Sequence, residues 1–512
     1  MSLSALAGVD ASSQHGGSLF HRVSRIIQAH PLLATLCPLV KQSAVYLVGA
    51  GLVGLGNFIL VPLYTPYLTP AEFGVYALIE ILLLVAVNTT QLGLGTTYVR
   101  WYAETAAARR GELLASSISA ALAAGAIGGC ILALLAQVSG ARWSAALHGM
   151  AWILLPIVVF RNVQGLLFSA LQASQRAVAY SAAAAARLLA LSCGGIWFVA
   201  IEREGVRGIM QSWLGGEGIC LLFLLTLCRP RQSLGVNWAL LKPMLKYGYP
   251  LVWSSFMALL LDASGRFFLA KYQGLAEVGL YTVGIKITAL FAMGFLQPFG
   301  NAWAGIVFPI SLRPNAPATY TKILGYALVA AMFVIALMLL FGPYLVQFFA
   351  GRAYLSATRL MPWLFLPLAL RLLEYWSSLP LYLKYKTQWL APLGTFGAAL
   401  CIGLNLLLVP RLGALGAALA WAGTLSATIS FTAAVGRRYY QLPIDWRTAG
   451  FAASLWASGF LFSRVLAGFS SLLSFSASAA MAVLLLLSCF WYFRRDVRAS
   501  KPMFTEGGAY AS

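Results

Sequence analysis

The segment LTPAEFGVYALIE (residues 68–80) decides how this chain is organised, because its pattern Ala-Glu-x-Gly-x-Tyr returns in GLAEVGLYTVGIK (residues 274–286). The two copies start at Ala71 and Ala276, 205 residues apart. A match of so few residues is weak when taken alone. Its meaning depends on where the two copies lie relative to the rest of the chain.

The composition is that of an integral membrane protein. Hydrophobic residues make up 60% of the 512 residues and charged residues only 10%, with a mean hydropathy of +0.81. Soluble domains carry about 25% charged residues. The apolar runs reach about 20 residues, the length of a helix that crosses a hydrocarbon core of about 30 Å. They lack the alternation over about ten residues that marks transmembrane β-strands. We therefore predict an all-α polytopic membrane protein.

Pro, Gly and charged residues divide the apolar sequence into about fourteen predicted transmembrane helices, numbered here as spans 1 to 14. They lie at residues 43–62, 76–98, 114–136, 147–170, 180–200, 208–227, 249–269, 281–307, 324–347, 360–382, 390–409, 414–435, 449–466 and 472–493. Gln211 and Glu217 dilute the hydrophobicity of span 6.

The formal net charge of +21 is a topology signal. Along alternate sides of the predicted spans, about 22 Lys and Arg fall on the side of both termini, about 8 on the other side and 5 within spans. Basic residues accumulate on the cytoplasmic side of membrane proteins, so both termini are predicted to be cytoplasmic. Nucleic acid is not an expected partner, because no soluble domain is left to bind it.

The cysteines indicate neither a disulfide framework nor a metal site. All seven lie in or beside apolar runs, at positions 37, 130, 193, 220, 228, 401 and 489. Disulfide frameworks and zinc sites use paired cysteines at characteristic spacings. We predict no cofactor and no metal.

The predicted spans turn the opening match into a positional repeat, because both copies lie in short non-cytoplasmic turns, before span 2 and before span 8. A second pair, GVRG (residues 205–208) and GALG (residues 413–416), precedes spans 6 and 12. A third pair is Arg161 in span 4 and Arg371 in span 10, each a few residues after a Leu-Pro pair. All three pairs share a spacing of about 205–210 residues.

This spacing covers six spans, an even number, so the two copies cross the membrane in the same direction. Parallel repeats of this kind form two lobes around a cleft and allow alternating access. We predict two six-helix lobes and two C-terminal helices. The predicted parts are a cytoplasmic tail (1–40), an N-lobe with spans 1–6 (41–228), a cytoplasmic connector (229–248), a C-lobe with spans 7–12 (249–436), spans 13–14 (437–495) and a second cytoplasmic tail (496–512).

Residues 43–104, with PAEFGVY at 70–76, and LVPRLGALGAALA at 408–420 resemble the bacterial polysaccharide transporters. These are the oligosaccharide-lipid flippases of the multidrug/oligosaccharidyl-lipid/polysaccharide exporter superfamily, and the resemblance extends over residues 40–494. It implies movement of polyprenyl-diphosphate-linked oligosaccharide repeat units across the bacterial inner membrane, for exopolysaccharide, capsule or O-antigen synthesis. The implied partners are this lipid-linked substrate, membrane lipids and polysaccharide polymerase machinery.

Basic residues inside the spans are the first candidates for substrate binding, since a charge in the bilayer costs several kcal/mol unless it faces protein or water. Arg161 and Arg371 lie at mid-depth in equivalent helices. A guanidinium binds phosphate oxygens with two hydrogen bonds, so we predict that this pair clamps a diphosphate. Arg187 and Lys286 are predicted to line the same cavity, with snorkelling to the interface as the alternative.

Acidic residues inside the spans are candidates for coupling to a proton or sodium gradient. Asp262, Glu374 and Glu217 are predicted to do this, because a carboxylate in a low dielectric can exchange protons near neutral pH. The alternative is that each acid neutralises a neighbouring arginine. Arg371 lies three residues before Glu374, and Arg266 lies four residues after Asp262. For Arg266 we predict this structural pair.

Polar and aromatic side chains are candidates for binding sugars. Gln91 of span 2 and Gln297 and Asn301 of span 8 are predicted to line a wet cleft and to bind sugar hydroxyls, unless they only join helices. Trp303 and Tyr375 offer ring faces for stacking, although ordinary packing explains most aromatic residues of a membrane protein.

The repeated pattern itself is predicted to shape the entry into the second helix of each lobe. Gly permits close backbone approach there, and Tyr is predicted to anchor at the membrane interface. Glu80, near the end of span 2, is predicted to be a rim charge.

We predict a secondary transporter that works by alternating access and is coupled to a cation gradient. A multidrug or cation antiporter of the same superfamily is disfavoured, because the spans contain five cations and four acids. A peptidoglycan-precursor flippase stays open, because it also binds a lipid diphosphate. A membrane glycosyltransferase or polymerase needs a large extracytoplasmic surface, whereas the non-cytoplasmic loops are short. We predict a transporter and not an enzyme.

Overall fold

The computed structural model describes residues 58, 60–143, 151–230, 235–311, 315–384, 386–466 and 471–505. The regular structure in these ranges is helical, without a strand, which confirms the predicted all-α class. The helices are α1 (Pro70–Thr90), α2 (Leu94–Glu104), α3 (Arg110–Trp143), α4 (Leu154–Ala173), α5 (Ala177–Gly195), α6 (Val206–Cys228), α7 (Trp238–Tyr272), α8 (Leu275–Phe291), α9 (Gln297–Ser311), α10 (Ala316–Leu340), α11 (Gly342–Ala350), α12 (Met361–Leu383), α13 (Leu390–Leu412), α14 (Ala414–Gly436), α15 (Trp446–Leu466) and α16 (Ser471–Thr505).

Eleven helical stretches in the described residues are long and apolar enough to cross a membrane, so the chain is a multi-pass membrane protein. They correspond to predicted spans 2–6, 8, 9 and 11–14. Spans 7 and 10 coincide with α7 and α12, which do not belong to this set of eleven. The N-terminal tail and most of span 1 lie outside the described residues. The predicted number of fourteen spans is therefore not confirmed.

Two predicted spans follow a different path from a single straight helix. Span 8 contains a π-helical segment, Ala292–Leu296, between α8 and α9. Pro298 follows in the first turn of α9, and its missing N–H removes one hydrogen bond from the preceding turn. Span 9 ends at Leu340 rather than at residue 347, because Pro343 starts the separate helix α11.

The repeated pattern places a glycine at the contact between α1 and α8. A Cβ atom on Gly74 would overlap the backbone carbonyl oxygen of Leu275, and a Cβ atom on Gly279 would overlap that of Pro70. Residues 70 and 275 are 205 apart, and so are residues 74 and 279. The contact is therefore reciprocal, as between two identical surfaces related by a twofold axis. This is the geometry that parallel repeats predict.

The second repeated pair matches in backbone conformation as well as in sequence. Gly205 precedes α6 with φ 61° and ψ −132°, and Gly413 precedes α14 with φ 57° and ψ −135°. Residues with a side chain rarely adopt this conformation. Gly208 and Gly416 then bring the new helix against the backbone of the preceding helical segment. Predicted spans 6 and 12 thus begin through the same turn.

The remaining residues of the opening pattern serve the start of α1 and its packing. Thr69 and Glu72 form a capping box, in which the Thr69 N–H donates to Glu72 Oε2 at 2.9 Å and the Glu72 N–H donates to Thr69 Oγ1 at 3.3 Å. Tyr76 and Tyr281 are both buried among helices. The prediction that this tyrosine anchors at the membrane interface is therefore wrong.

The division into an N-lobe (41–228) and a C-lobe (249–436) stays a prediction, and the names are kept here for these residues. Helices α2–α6 pack mainly within the group α1–α6, and α7, α9 and α11–α14 pack mainly within the group α7–α14, whereas α1 and α8 pack most on each other and α10 packs most on α15. The main contacts between the two groups are those of α1 with α8 and of α7 with α1, α2 and α3. Helix α15 packs on α10, and α16 packs on both of these.

Candidate functional site

A cavity of about 490 Å³ lies where α1, α4, α5 and α6 meet α7 and α8. Four basic side chains line it: Arg161 of α4, Arg187 of α5, Arg266 of α7 and Lys286 of α8. We call it the cationic cavity. Its volume is within the range of about 300–1,000 Å³ that is usual for ligand sites.

A single buried carboxylate holds two of these cations. Glu217 of α6 is fully buried and accepts a hydrogen bond from Nε of Arg161 at 2.8 Å. It also accepts bonds from Nε and Nη2 of Arg187, at 2.9 and 2.7 Å. Both carboxylate oxygens are thus bonded to guanidinium groups, as in the alternative that this acid neutralises neighbouring arginines. The coupling role of Glu217 stays a prediction.

The third cation connects the two lobes. Lys286 Nζ lies 2.9 Å from Oε1 of Glu80 and donates to the Tyr76 hydroxyl at 3.2 Å. The Tyr76 hydroxyl in turn donates to Glu80 Oε1 at 3.3 Å. Because Lys286 belongs to α8 and the other two belong to α1, this network crosses the reciprocal contact. Glu80 lines the cationic cavity, so the prediction of a rim charge is wrong.

Arg266 is the fourth cation, and it differs from the others because its buried Nε has no hydrogen-bond partner among the described residues. The predicted pair with Asp262 is not formed in this part of the chain. Asp262 Oδ1 instead lies 3.4 Å from Nη2 of Arg371. Three of the four cations are bonded to two carboxylates, Glu80 and Glu217, and Arg266 adds a further charge, so the four cations and two acids together carry a formal charge of +2.

Two adjoining cavities of about 470 and 450 Å³ lie on the C-lobe side and share four residues of α12. The shared residues are Arg371, Glu374, Ser378 and Tyr382. Trp253 of α7 lines one of the two cavities and Trp303 of α9 lines the other. We call the pair the acidic–aromatic cleft, because Arg371 faces two carboxylates, Asp262 at 3.4 Å and Glu374 at 3.5 Å.

The structure distributes the predicted substrate-binding residues over different places. Four of them line the cationic cavity: Arg161, Arg187, Lys286 and Gln91. Arg371 lines the acidic–aromatic cleft, so the predicted clamp of Arg161 with Arg371 is not assembled in one cavity. Gln297 and Asn301 are exposed on α9 and belong to neither site.

Sequence reasoning missed Arg266, Glu80 and Tyr76 as members of the cationic cavity. The sequence did contain a signal for Glu80, because Lys286 lies 206 residues later, one residue from the position that the repeat makes equivalent to Glu80. Residues close to a twofold axis contact the residues that are equivalent to them in the other half, so an acid and a base at such positions can pair. No comparable signal marks Arg266, whose nearest acid along the helix is engaged elsewhere.

Residues 67–359, more than half of the chain, match the profile of a family described as "Polysaccharide biosynthesis protein". No curated protein matches the chain in sequence. Among solved structures, the lipid II flippase MurJ in an inward closed conformation is similar, with 12% identity over 90% of this chain and 99% of that chain and a TM-score of 0.63.

Two further structures show the same fold. An inward-facing multidrug resistance MATE family transporter of the MOP superfamily has 16% identity over 78% of this chain and 96% of that chain, with a TM-score of 0.60. A MOP superfamily transporter from Pyrococcus furiosus has 16% identity over 80% and 95%, with a TM-score of 0.52. At these identities the likeness establishes the fold.

Proposed function

Because the chain belongs to the family of polysaccharide biosynthesis proteins, we propose that it is a flippase for polyprenyl-diphosphate-linked oligosaccharides. The family and the fold make it a transporter rather than an enzyme, as the sequence predicts. The proposal places it in the bacterial inner membrane with both termini in the cytoplasm, in agreement with the distribution of Lys and Arg. There it would supply exopolysaccharide, capsule or O-antigen synthesis and work beside the polymerase machinery.

The observation that carries the proposal is the excess positive charge of the cationic cavity. A diphosphate esterified at both ends carries two negative charges at neutral pH, which would balance the formal charge of +2. Arg266 offers a buried Nε that has no partner in the described part of the chain, and Arg161 and Lys286 lie in the same lining. Phosphate oxygens are acceptors that such donors bind strongly. A cationic drug would meet repulsion at this place instead.

Arg266→Ala should reduce translocation about tenfold or more, because it removes a charged hydrogen bond to the diphosphate without breaking any bond to protein seen in the described residues. We expect Arg266→Lys to retain part of the activity. The assay follows a fluorescent undecaprenyl-diphosphate-linked sugar across proteoliposome membranes, with quenching of the outer leaflet. Arg161 is a less clean choice, because it also bonds the buried Glu217.

Lys271→Ala is the matched control for this experiment, since Lys271 is an exposed cation at the end of the same helix. It should translocate the lipid at the wild-type rate. A folded Arg266→Ala protein with undiminished translocation would contradict the proposed diphosphate site. Faster transport of lipid II than of the oligosaccharide lipid would instead favour a peptidoglycan-precursor flippase, which uses the same diphosphate chemistry.

For energy coupling we propose Asp262, with Arg371 and Glu374 as its charged neighbours. One guanidinium stands between two carboxylates at 3.4 and 3.5 Å, which leaves a formal charge of −1. Arg266, one turn further along α7, adds a positive field at Asp262. Binding of a proton or a sodium ion would neutralise the remaining charge, and net charges are costly inside a membrane.

Asp262→Asn should abolish the response of transport to an imposed gradient, because the amide keeps the shape of the side chain but removes its charge. Proteoliposomes with an imposed proton or sodium gradient should translocate faster than those without one when they contain the wild type. The variant should show equal rates in both conditions. Glu104→Gln, at an exposed carboxylate, is the control. A full gradient response in Asp262→Asn would rule out this coupling role.

A further inference from the structure

The acidic–aromatic cleft is the repeat-related counterpart of the cationic cavity. Helices α4, α5 and α6 of the N-lobe frame the cationic cavity, and the repeat-related helices α12, α13 and α14 frame the cleft. The equivalent arginines, Arg161 and Arg371, lie one in each. The two halves of the repeat therefore form cavities at corresponding places, and these cavities differ in chemistry.

The charges of the two sites are opposite. The cationic cavity has a formal charge of +2, whereas Arg371 with Asp262 and Glu374 has −1. The carboxylates on Arg371 are held loosely, and the side chains of Asp262 and Glu374 remain about half exposed. Glu374, which lines the cleft, can therefore accept further hydrogen bonds there. A diphosphate is repelled by this site, and a neutral group rich in hydroxyls is not.

The walls of the cleft carry aromatic rings that are open to its space. Trp253 of α7 is 47% exposed and Tyr382 of α12 is 46% exposed. Trp303 and Tyr375 line the cavity on the other side. Aromatic rings with a polar edge offer both apolar contact and hydrogen bonding. Rings beside carboxylates and a serine hydroxyl suit the apolar C–H faces and the hydroxyl groups of a sugar.

The distance between the two sites suits one extended cargo. Leu261 lines the cleft and Arg266 lines the cationic cavity, five residues apart on α7. This separation is about 7.5 Å along the helix axis, and the two residues lie on different sides of a helix about 10–12 Å wide. A short oligosaccharide attached to a diphosphate can span such a separation.

We propose that the acidic–aromatic cleft binds the sugar residues of the cargo while the cationic cavity binds its diphosphate. This inference rests on the proposed flippase function and adds the place and chemistry of sugar recognition. Glu374 and Ser378 accept hydrogen bonds from sugar hydroxyls, and Trp253 and Tyr382 stack on the sugar ring. Asp262 does not line the cleft and stays available for coupling.

The test compares undecaprenyl diphosphate without a sugar with the same lipid capped by glucose, galactose or N-acetylglucosamine. Binding to the detergent-solubilised full chain is measured by native mass spectrometry. The wild type should bind at least one capped lipid more tightly than the bare lipid, by roughly 3- to 10-fold for each stacking ring. Tyr382→Ala and Trp253→Ala should each reduce this preference and leave bare-lipid binding unchanged. Tyr382→Phe should keep most of it.

Two controls separate this inference from the function on which it rests. Tyr249→Ala removes an exposed aromatic side chain on the same helix as Trp253, outside the cleft, and should keep the preference. Arg266→Ala should weaken the binding of the bare lipid and of the capped lipids by the same factor. A wild type that binds the bare lipid but prefers no capped lipid would overturn the sugar site alone, as would a preference that survives both alanine variants. Failure of the wild type to bind any of these lipids would overturn the proposed function.

Discussion

Replacing Glu217 by alanine should cost about 3–5 kcal/mol of folding stability, because it leaves the guanidinium groups of Arg161 and Arg187 without their shared counter-charge. Glu217 is fully buried, and its two partners expose only 18% and 25% of their side chains. A charge left unpaired there cannot be well solvated. The measurement is the loss of folded protein on heating in detergent, followed by size-exclusion chromatography.

Glu104→Gln is the matched control, because Glu104 pairs with Arg100 at 3.1 Å on the exposed end of α2. Such surface pairs contribute at most about 1 kcal/mol. Replacing Glu217, Arg161 and Arg187 together by leucine or methionine should restore much of the stability and still abolish transport. Equal melting of Glu217→Ala and Glu104→Gln would show that this buried group contributes little to folding.

Gly74→Ala and Gly279→Ala should each open the contact between α1 and α8. The new methyl group would overlap a backbone carbonyl, which cannot turn away as a flexible side chain can. Overpacking of this kind costs about 1–3 kcal/mol. That cost would shift the balance between closed and open arrangements of the contact by about 5- to 150-fold.

Spin labels at Ala71 and Ala276 report this shift, since both residues are exposed beside the contact. In a protein whose native cysteines are replaced, the two labels should show a population with a short distance between them. Both glycine variants should reduce this population. Gly215→Ala is the control, because a Cβ atom there would meet nothing within 4 Å. If the distance distributions of Gly74→Ala and Gly215→Ala coincide, the contact between α1 and α8 does not set the balance between the closed and open arrangements.

The repeat identified positions where the backbone requires glycine, because the residues that carry it lie at a helix–helix contact or in backbone turns. Gly74 and Gly279 are needed where two helices touch, and Gly205 and Gly413 are needed for a positive φ. Requirements of this kind are visible in a sequence, since few residues other than glycine satisfy them.

The site was less predictable from the sequence. The repeat shows which residues are equivalent in the two halves, but it does not show how far each residue lies from the twofold axis that relates them. Arg161 and Arg371 are equivalent, yet each faces a cavity framed largely by helices of its own half. Lys286 and Glu80, close to the axis, meet directly.

The predicted pair of Arg266 with Asp262 was wrong because it was based on spacing along one helix. Asp262 lies four residues before Arg266, which favours a pair within the helix. Asp262 instead approaches Arg371, 109 residues away in sequence. Which partner a buried acid takes is decided by tertiary packing, and a single sequence does not contain that information.

The reciprocal contact of Gly74 with Leu275 and of Gly279 with Pro70 has an evolutionary consequence. Two copies of one smaller protein would form such a contact if they associated as a symmetric homodimer. A unit with an even number of spans begins and ends on the same side of the membrane, so a gene duplication could fuse two of them through one short connector. After fusion each half could mutate independently. The ancestral dimer would have offered its cargo two identical faces, and the descendant can recognise a molecule whose two ends differ.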